Sequence, residues 1–193
     1  MPRQPDPELE SRILNAAHKL WRRGGDEELT LRSVAREAGT NTPAVYRRFQ
    51  NRDAIIRALL HRMRLELAKR LEEASSPQEG CERYLEYALT HPLEYELFYR
   101  YNYKLDHSPH ARRAGVKVGR PARDAIQGKL AKTLGGSAAD HEDLMIALWM
   151  MAHGAAMLLI SKSILPKDAK FAHAMFTRSI QALLKDAARA KRR

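Results

Sequence analysis

Apolar residues recur at spacings of three and four along almost the whole chain, and no stretch of useful length alternates with period two. A chain so patterned can bury its apolar surface only as packed helices, so the expected fold class is all-α, with about nine helices. Leu9, Ile13, Ala16, Ala17 and Leu20 mark one face of a first helix, entered through Pro7 and ended by Gly24-Gly25. Thr30 reads as the N-cap of a second helix carrying Leu31, Val34, Ala35 and Ala38, with Leu29 stapled onto Val34. Gly39 supplies a left-handed stop, and Thr42-Pro43 restarts a helix that ends near Phe49. Asn51 caps a longer fourth helix with Ile56, Leu60, Met63 and Leu67 on one side, running to about Ala74.

Further along, Ser76-Pro77-Gln78-Glu79 is a capping box that opens a helix ending near His91, and Pro92 opens the next. From His107 to Arg123 no acidic residue occurs among Arg112, Arg113, Lys117, Arg120 and Arg123, and glycines and prolines mark the segment as a loop. A helix from about 121 to 134 closes on Gly135-Gly136, and Ser137 to Asp140 caps a strongly apolar helix. Pro166 separates that helix from a last one over about 168–189.

Charge narrows the partners. The 34 Lys and Arg against 23 Asp and Glu leave a net +11, which favours a polyanion through counterion release, although acidic membranes, RNA and solubility also accommodate a basic balance. The single cysteine, Cys81, excludes an intrachain disulfide and any multi-cysteine metal site, which fits a reducing, cytoplasmic setting. The polar, proline-broken N-terminus lacks the apolar stretch of a secretion signal. The run from Leu144 to Ile160, interrupted by His153 and Gly154, falls just short of the roughly 20 residues that cross a bilayer. It reads as a helix buried in protein, with no membrane partner.

The segment from Leu29 to Phe49 has the proportions of a helix-turn-helix, whose second helix would lie in a DNA major groove. Val45 and Phe49, four apart, anchor that helix inward, leaving Thr42, Pro43, Tyr46 and Arg47 on its reading face. This stretch, with the long helix behind it, resembles the N-terminal domain of the TetR/AcrR family. The match covers roughly residues 8 to 60, through the pattern L-T-x-R-x-V-A-x-x-A-G, the Y-x-x-F ending at Tyr46 and Phe49, and Asn51-Arg52 opening the next helix.

The resemblance implies phosphate or base contacts from Thr30, Arg32, Thr42, Tyr46, Arg47 and Arg52. Arg52 stands on the positive end of the fourth helix, an anion site in its own right. Two positions depart from the family pattern: Pro43 stands where a small residue is common, and Arg48 where histidine is frequent. Arg48 still suits a phosphate. Pro43 either only initiates the helix or also offers its ring to a thymine methyl.

Toward the C-terminus, the helix from Leu144 to Ile160 is apolar on every side and so must be covered on two faces. Ile146, Met150, Gly154 and Leu158 form a stripe in which glycine permits close helix approach, and the last helix adds Phe176, Ile180 and Leu183. Together these are the expected homodimer interface. Six of the seven tyrosines lie between residues 84 and 103. Tyr95, Phe98, Tyr99 and Asn102 share a helix face, and with Trp149, His153 and Met157 they are the candidate lining of a small-molecule site, the alternative being ordinary core aromatics. His153 could serve as ligand contact, inter-helix hydrogen bond or titrating switch.

The string from Trp149 to Gly154 resembles the W-x-x-x-H-G motif in the C-terminal domain of one subgroup of the same family, in which the last two long helices form a four-helix dimer interface. Loosely, that likeness extends over 90–160.

Two rivals are a helical enzyme and an architectural DNA-binding protein without effector. No nucleophile motif, phosphate loop or close carboxylate pair supports the first. His107 and His110 lack the cysteine or paired carboxylate that a metal site needs, so no metal and no cofactor are expected. The expectation is therefore a DNA-binding transcriptional regulator, not an enzyme: a ligand-released repressor with its DNA-binding domain in 1–52 and a helical effector-binding and dimerisation domain in 53–193. Its partners would be double-stranded operator DNA, a small-molecule effector and a second copy of itself.

Overall fold

Side-chain caps open four of the helices. The computed structural model describes residues 6–106 and 121–190, and all regular structure among them is helical. The α-helices are α1 (Leu9–Glu28), α2 (Leu31–Glu37), α3 (Thr42–Arg48), α4 (Arg52–Glu72), α5 (Pro77–Thr90), α6 (Pro92–Asp106), α7 (Pro121–Leu134), α8 (Glu142–Ile160) and α9 (Ala169–Ala190). Short 3-10 turns at Ala139–His141 and Pro166–Asp168 lead into α8 and α9. The basic segment from His107 to Arg123, with His107 and His110, lies outside the described residues except for its last three, which open α7.

The described residues fall into two compact units, 6–63 with 93–106 and 64–92 with 121–190, each discontinuous in sequence. This is a partition by packing, whereas the boundary expected at residue 52 is one of function.

In the first unit, α1 breaks at Gly24 and at Gly25, whose φ of 61° favours glycine, and a short helical stub continues to Glu28. Asp26, Glu27 and Glu28 lie on this stub. The Thr30 Oγ accepts from the Ser33 amide at 3.1 Å, capping α2, and Gly39 turns the chain at φ 64°. Asn41 caps α3 by accepting from the Ala44 amide at 2.9 Å, and Asn51 caps α4 by accepting from the Ala54 amide at 2.9 Å.

One core joins these helices. Ile13, Ala17, Leu20 and Trp21 of α1 meet Leu29 and Val34, Val45 and Phe49, the Ile55 to Met63 face of α4, and Leu97 of α6. Helix α6 is therefore part of the head. Near its start, the Trp21 indole N–H donates to the Leu93 carbonyl at 2.7 Å, and the buried Glu94 carboxylate takes His18 Nε2 at 3.0 Å and Arg22 Nε at 3.2 Å. Arg62 reaches His18 Nδ1 at 3.3 Å and Asn15 Oδ1 at 2.6 Å.

Burial works to raise the Glu94 pKa. The His18 hydrogen bond, the residue's own backbone N–H and the charges of His18 and Arg22 overcome this, and the carboxyl lies below its ordinary range.

In the second unit α5 packs on α7, α8 and α9, and α8 on α7 and α9. Ser76 caps α5 by accepting from the Glu79 amide at 3.1 Å, while the Glu79 carboxylate turns back to the Ser75 amide and hydroxyl at 2.6 and 2.5 Å. Those two bonds and Arg83 bring the Glu79 pKa down to about 2. At Gly80 an added Cβ would press on the end of the Ile126 side chain of α7. Lys129 closes the end of α4 by donating to the Glu72 and Ala74 carbonyls at 2.8 and 2.5 Å. Gly135 and Gly136, at φ 77° and 80°, end α7, and His141 Nε2 meets the Gly135 carbonyl at 2.7 Å.

Residues 139–160 are long and apolar enough to cross a membrane by length and composition alone. Within the unit α8 has two unlike faces. Met145, Leu148, Ala152 and Ala156 are buried, whereas Ile146, Trp149, Met150, Met157 and Leu158 are exposed.

Candidate nucleic-acid interface

Seven residues long, α3 is held by an apolar inner face and a polar cap. Ala44, Val45 and Phe49 are buried, and Asn41 fixes the first turn. Ala44 joins the two anchors that spacing alone identifies. The opposite face carries Pro43, Tyr46, Arg47 and Arg48, all exposed, with Thr42 half-buried. Tyr46 is 52% exposed, a large aromatic ring in solvent on the face of a helix that is otherwise well anchored. No partner among the described residues engages the Arg47 guanidinium. Arg48 donates to the Asp6 carbonyl at 3.1 Å, and Asp6 pairs with Arg12 at 2.6 Å; that hydrogen bond, ahead of the Glu8 amide, holds the Asp6 carboxyl below its ordinary range.

On α2, Arg32 is exposed in the first turn and Thr30 is exposed while acting as the cap. Helix α2 is tied to α1 through Lys19 and Glu37 at 2.5 Å. The structure thus brings Thr42, Pro43, Tyr46, Arg47 and Arg48 together on one outward face, with Thr30 and Arg32 at the head of the preceding helix. Hydroxyls, an aromatic ring and guanidinium groups so presented are suited to phosphate oxygens and base edges.

Arg52 is placed differently. Its Nε–H donates to the Leu29 carbonyl at 2.6 Å, one terminal nitrogen donates to the Asp26 carbonyl at 3.1 Å and to the Asp26 carboxylate, and the other donates to the Tyr101 hydroxyl at 3.3 Å. The Tyr101 hydroxyl also donates to the Asp26 carboxylate. That bond, ahead of Arg52, holds the Asp26 carboxyl below its ordinary range, and burial followed by the Asp26 bond pushes the Tyr101 phenol up. Sequence reasoning missed Asp26 and Tyr101, because one sits in a turn-like acidic run and the other in an aromatic cluster assigned to a pocket. Glu94 and His18 carried no local signal either.

The candidate effector residues are distributed over both compact units. In the first, Tyr95 is buried, Phe98 packs against the head core, the Tyr95 and Tyr99 rings lie 4.8 Å apart, and Asn102 stands on α6. In the second, Trp149 is 45% exposed, its indole N–H donates to the Tyr84 hydroxyl at 3.3 Å, and its ring stacks on His153 at 5.8 Å. Burial holds the His153 imidazole below its ordinary pKa, and Met157 is exposed.

Of the expected interface residues, Ile146, Met150 and Leu158 are exposed, Gly154 is half-buried, and a Cβ on Gly154 would meet nothing within 4 Å. Phe176 and Ile180 differ from these in exposure. Both are buried within the subunit, because α9 turns its apolar stripe onto α5 and α8, and Leu183 is half-buried. Among the described residues no group of three or more His, Cys, Asp or Glu is placed to hold a metal ion. Cys81 is buried, and burial pushes its thiol up to about 12, the state of a packing residue and not of a nucleophile.

Comparison with known proteins accords with this geometry. Residues 13–59 match the family described as bacterial regulatory proteins, tetR family, and residues 78–183 match the family described as tetracyclin repressor-like, C-terminal domain. No curated protein matches the chain. Among solved structures, a protein of unknown function from Rhodococcus sp. RHA1 shares 22% identity at a TM-score of 0.73, over 97% of this chain and 100% of that one. The multidrug binding protein EbrR, complexed with imidazole, shares 22% identity at a TM-score of 0.63, over 95% and 93%. A TetR-family transcriptional regulator from Streptomyces coelicolor shares 20% identity at a TM-score of 0.62, over 93% and 99%. With its helix-turn-helix head and its helical C-terminal part both matched, the chain belongs to the tetR family of DNA-binding transcriptional regulators.

Proposed function

We propose that this protein is a cytoplasmic, ligand-released repressor that binds a palindromic operator as a homodimer. The observation that carries the proposal is the outward face of α3, where Tyr46, Arg47 and Arg48 stand in solvent on a helix pinned by Ala44, Val45 and Phe49. In this reading residues 1–52 supply the DNA contacts, from Thr30, Arg32, Thr42, Pro43, Tyr46, Arg47 and Arg48, and residues 53–193 supply effector binding and dimerisation. The exposed Ile146, Met150 and Leu158 on α8, beside Gly154, favour a second copy as the cover for that face.

An effector site at Trp149, His153 and Met157 is favoured by the half-exposed aromatic stack beside Tyr84 and by the ligand-bound state of EbrR. The spacing of Trp149, His153 and Gly154 supports placement in the W-x-x-x-H-G subgroup. Release requires the effector to prefer the subunit arrangement that does not fit DNA. A small change in the separation of two recognition helices is enough, because half-sites lie about 34–36 Å apart.

Selection of bound DNA from random duplexes with the purified protein tests the proposal. A two-fold symmetric consensus is expected; recovery of sequences without any consensus would leave an architectural DNA-binding protein instead.

On the selected duplex, Tyr46→Ala or Arg47→Ala is expected to cost roughly 1–3 kcal/mol, and less on a scrambled duplex, so the specificity ratio falls. Equal losses on both duplexes would make the two side chains backbone contacts and move sequence recognition to Thr42, Pro43 or DNA shape.

A further inference from the structure

At the first position of α4 a guanidinium is well placed for phosphate, yet every nitrogen of Arg52 is engaged inside the head, by the Leu29 carbonyl, both oxygens offered by Asp26, and the Tyr101 hydroxyl. The position of these acceptors gives the arrangement its meaning. Leu29 is fully buried and immediately precedes Thr30, the cap of α2, while Arg52 immediately follows Asn51, the cap of α4. The bond from Arg52 to Leu29 therefore closes the chain on itself at the base of the helix-turn-helix, and everything that would face DNA lies between its two ends. Asp26 sits just beyond the glycine break of α1 and Tyr101 on α6, whose ring meets Trp21 edge-on at 6.2 Å. They approach the guanidinium from two different helices, bond to each other, and leave it one orientation.

We propose that Asp26 and Tyr101 are positioning residues for DNA binding that act through Arg52, and that Arg52 works by closing the base of the helix-turn-helix and not by contacting phosphate. The proposal rests on the DNA-binding role of the head. A guanidinium whose nitrogens are satisfied within the protein releases little counterion on binding, so its loss disturbs geometry without changing the ion count. Lysine cannot replace it: an ammonium is a point charge, whereas the fork spans four acceptors on three residues.

The test is a salt series of equilibrium binding, with the full-length protein, on the duplex recovered by selection and on a scrambled one. Wild type, Tyr101→Phe, Asp26→Asn, Arg52→Ala and Arg52→Lys are compared well below their melting temperatures. Tyr101→Phe and Arg52→Ala are each expected to weaken binding on the order of tenfold, the loss of hydrogen bonds to a charged group. The slope of log affinity against log salt should stay at the wild-type value, and Arg52→Lys should remain as weak as Arg52→Ala. If Arg52→Ala lowers the slope by about one and lysine restores both slope and affinity, Arg52 is a phosphate contact and the proposal fails. Wild-type affinity in Tyr101→Phe and Asp26→Asn overturns their positioning role, and these near-isosteric variants decide the matter even if Arg52→Ala does not fold. A wild-type protein that binds no duplex at all overturns the DNA-binding role of the head, and this proposal with it.

Discussion

A Gly154→Arg protein is expected to fold, to sediment as a monomer, and to bind a two-fold symmetric duplex roughly a hundredfold to ten-thousandfold more weakly than wild type. The subunit itself has room for the change, since a Cβ at Gly154 meets nothing within 4 Å. Its neighbours on the same face of α8 are apolar and exposed, Met150 at 63% and Leu158 at 47%. In the proposed dimer, an arginine there would place an unpaired charge in an apolar contact, and leaving such a charge unpaired costs more than the contact returns. The affinity falls because, in a dimer, the second half-site is bound intramolecularly at an effective concentration in the millimolar range, and a monomer loses that gain. Sedimentation at micromolar concentration, combined with titration of the selected duplex, checks both parts. A wild-type protein that sediments as a stable monomer would sink the dimer proposal.

Trp21→Ala is expected to destabilise the head by about 3–5 kcal/mol, a large share of the roughly 5–15 kcal/mol that holds a domain folded. Trp21 is fully buried, contacts the Tyr101 ring, and donates to the Leu93 carbonyl, so truncation leaves both a cavity and an acceptor without its donor. A fall in melting temperature of roughly 10 °C by circular dichroism is the expected result. The chain's two tryptophans provide a control, because Trp149 is 45% exposed and Trp149→Ala should shift the melting point far less. Equal shifts from the two substitutions would contradict the packing described for Trp21.

Helix caps were legible in the sequence because they are local. Thr30, Asn51 and Ser76 each accept from an amide three residues on, and Gly39 and Gly135 turn the chain where only a small residue is comfortable. The inner face of α3 was legible for the same reason, its anchors lying four residues apart. Contacts between distant segments were not. Trp21 with Leu93, His18 with Glu94, and Asp26 with Tyr101 join positions more than seventy residues apart, and neither partner carries a local mark of the other. An apolar stripe, likewise, reveals that it must be covered but not by what. Phe176 and Ile180 are covered by their own subunit, whereas Met150 and Leu158, equally apolar, are not. The DNA-facing positions were read from side-chain type and helix face, and exposure of Tyr46 and Arg47 accords with that reading. The structure alters the case for Arg52, whose partners come from two helices that no spacing rule connects to it.

The head is assembled from two separate lengths of chain, with Leu97 in its core and Leu93, Glu94 and Tyr101 bonded to it. It is therefore not a detachable cassette. A fragment cut after α4 would leave the Trp21 indole without its acceptor, Asp26 and Arg52 without the phenol between them, and an apolar gap where Leu97 belongs. Exchanging recognition specificity between relatives by transplanting residues 1–52 would succeed only where the recipient's own α6 presents an equivalent set of groups to the graft. The packing of the head is thus tied to α6, and a change at Glu94, Leu97 or Tyr101 would disturb α1 and α4 as well.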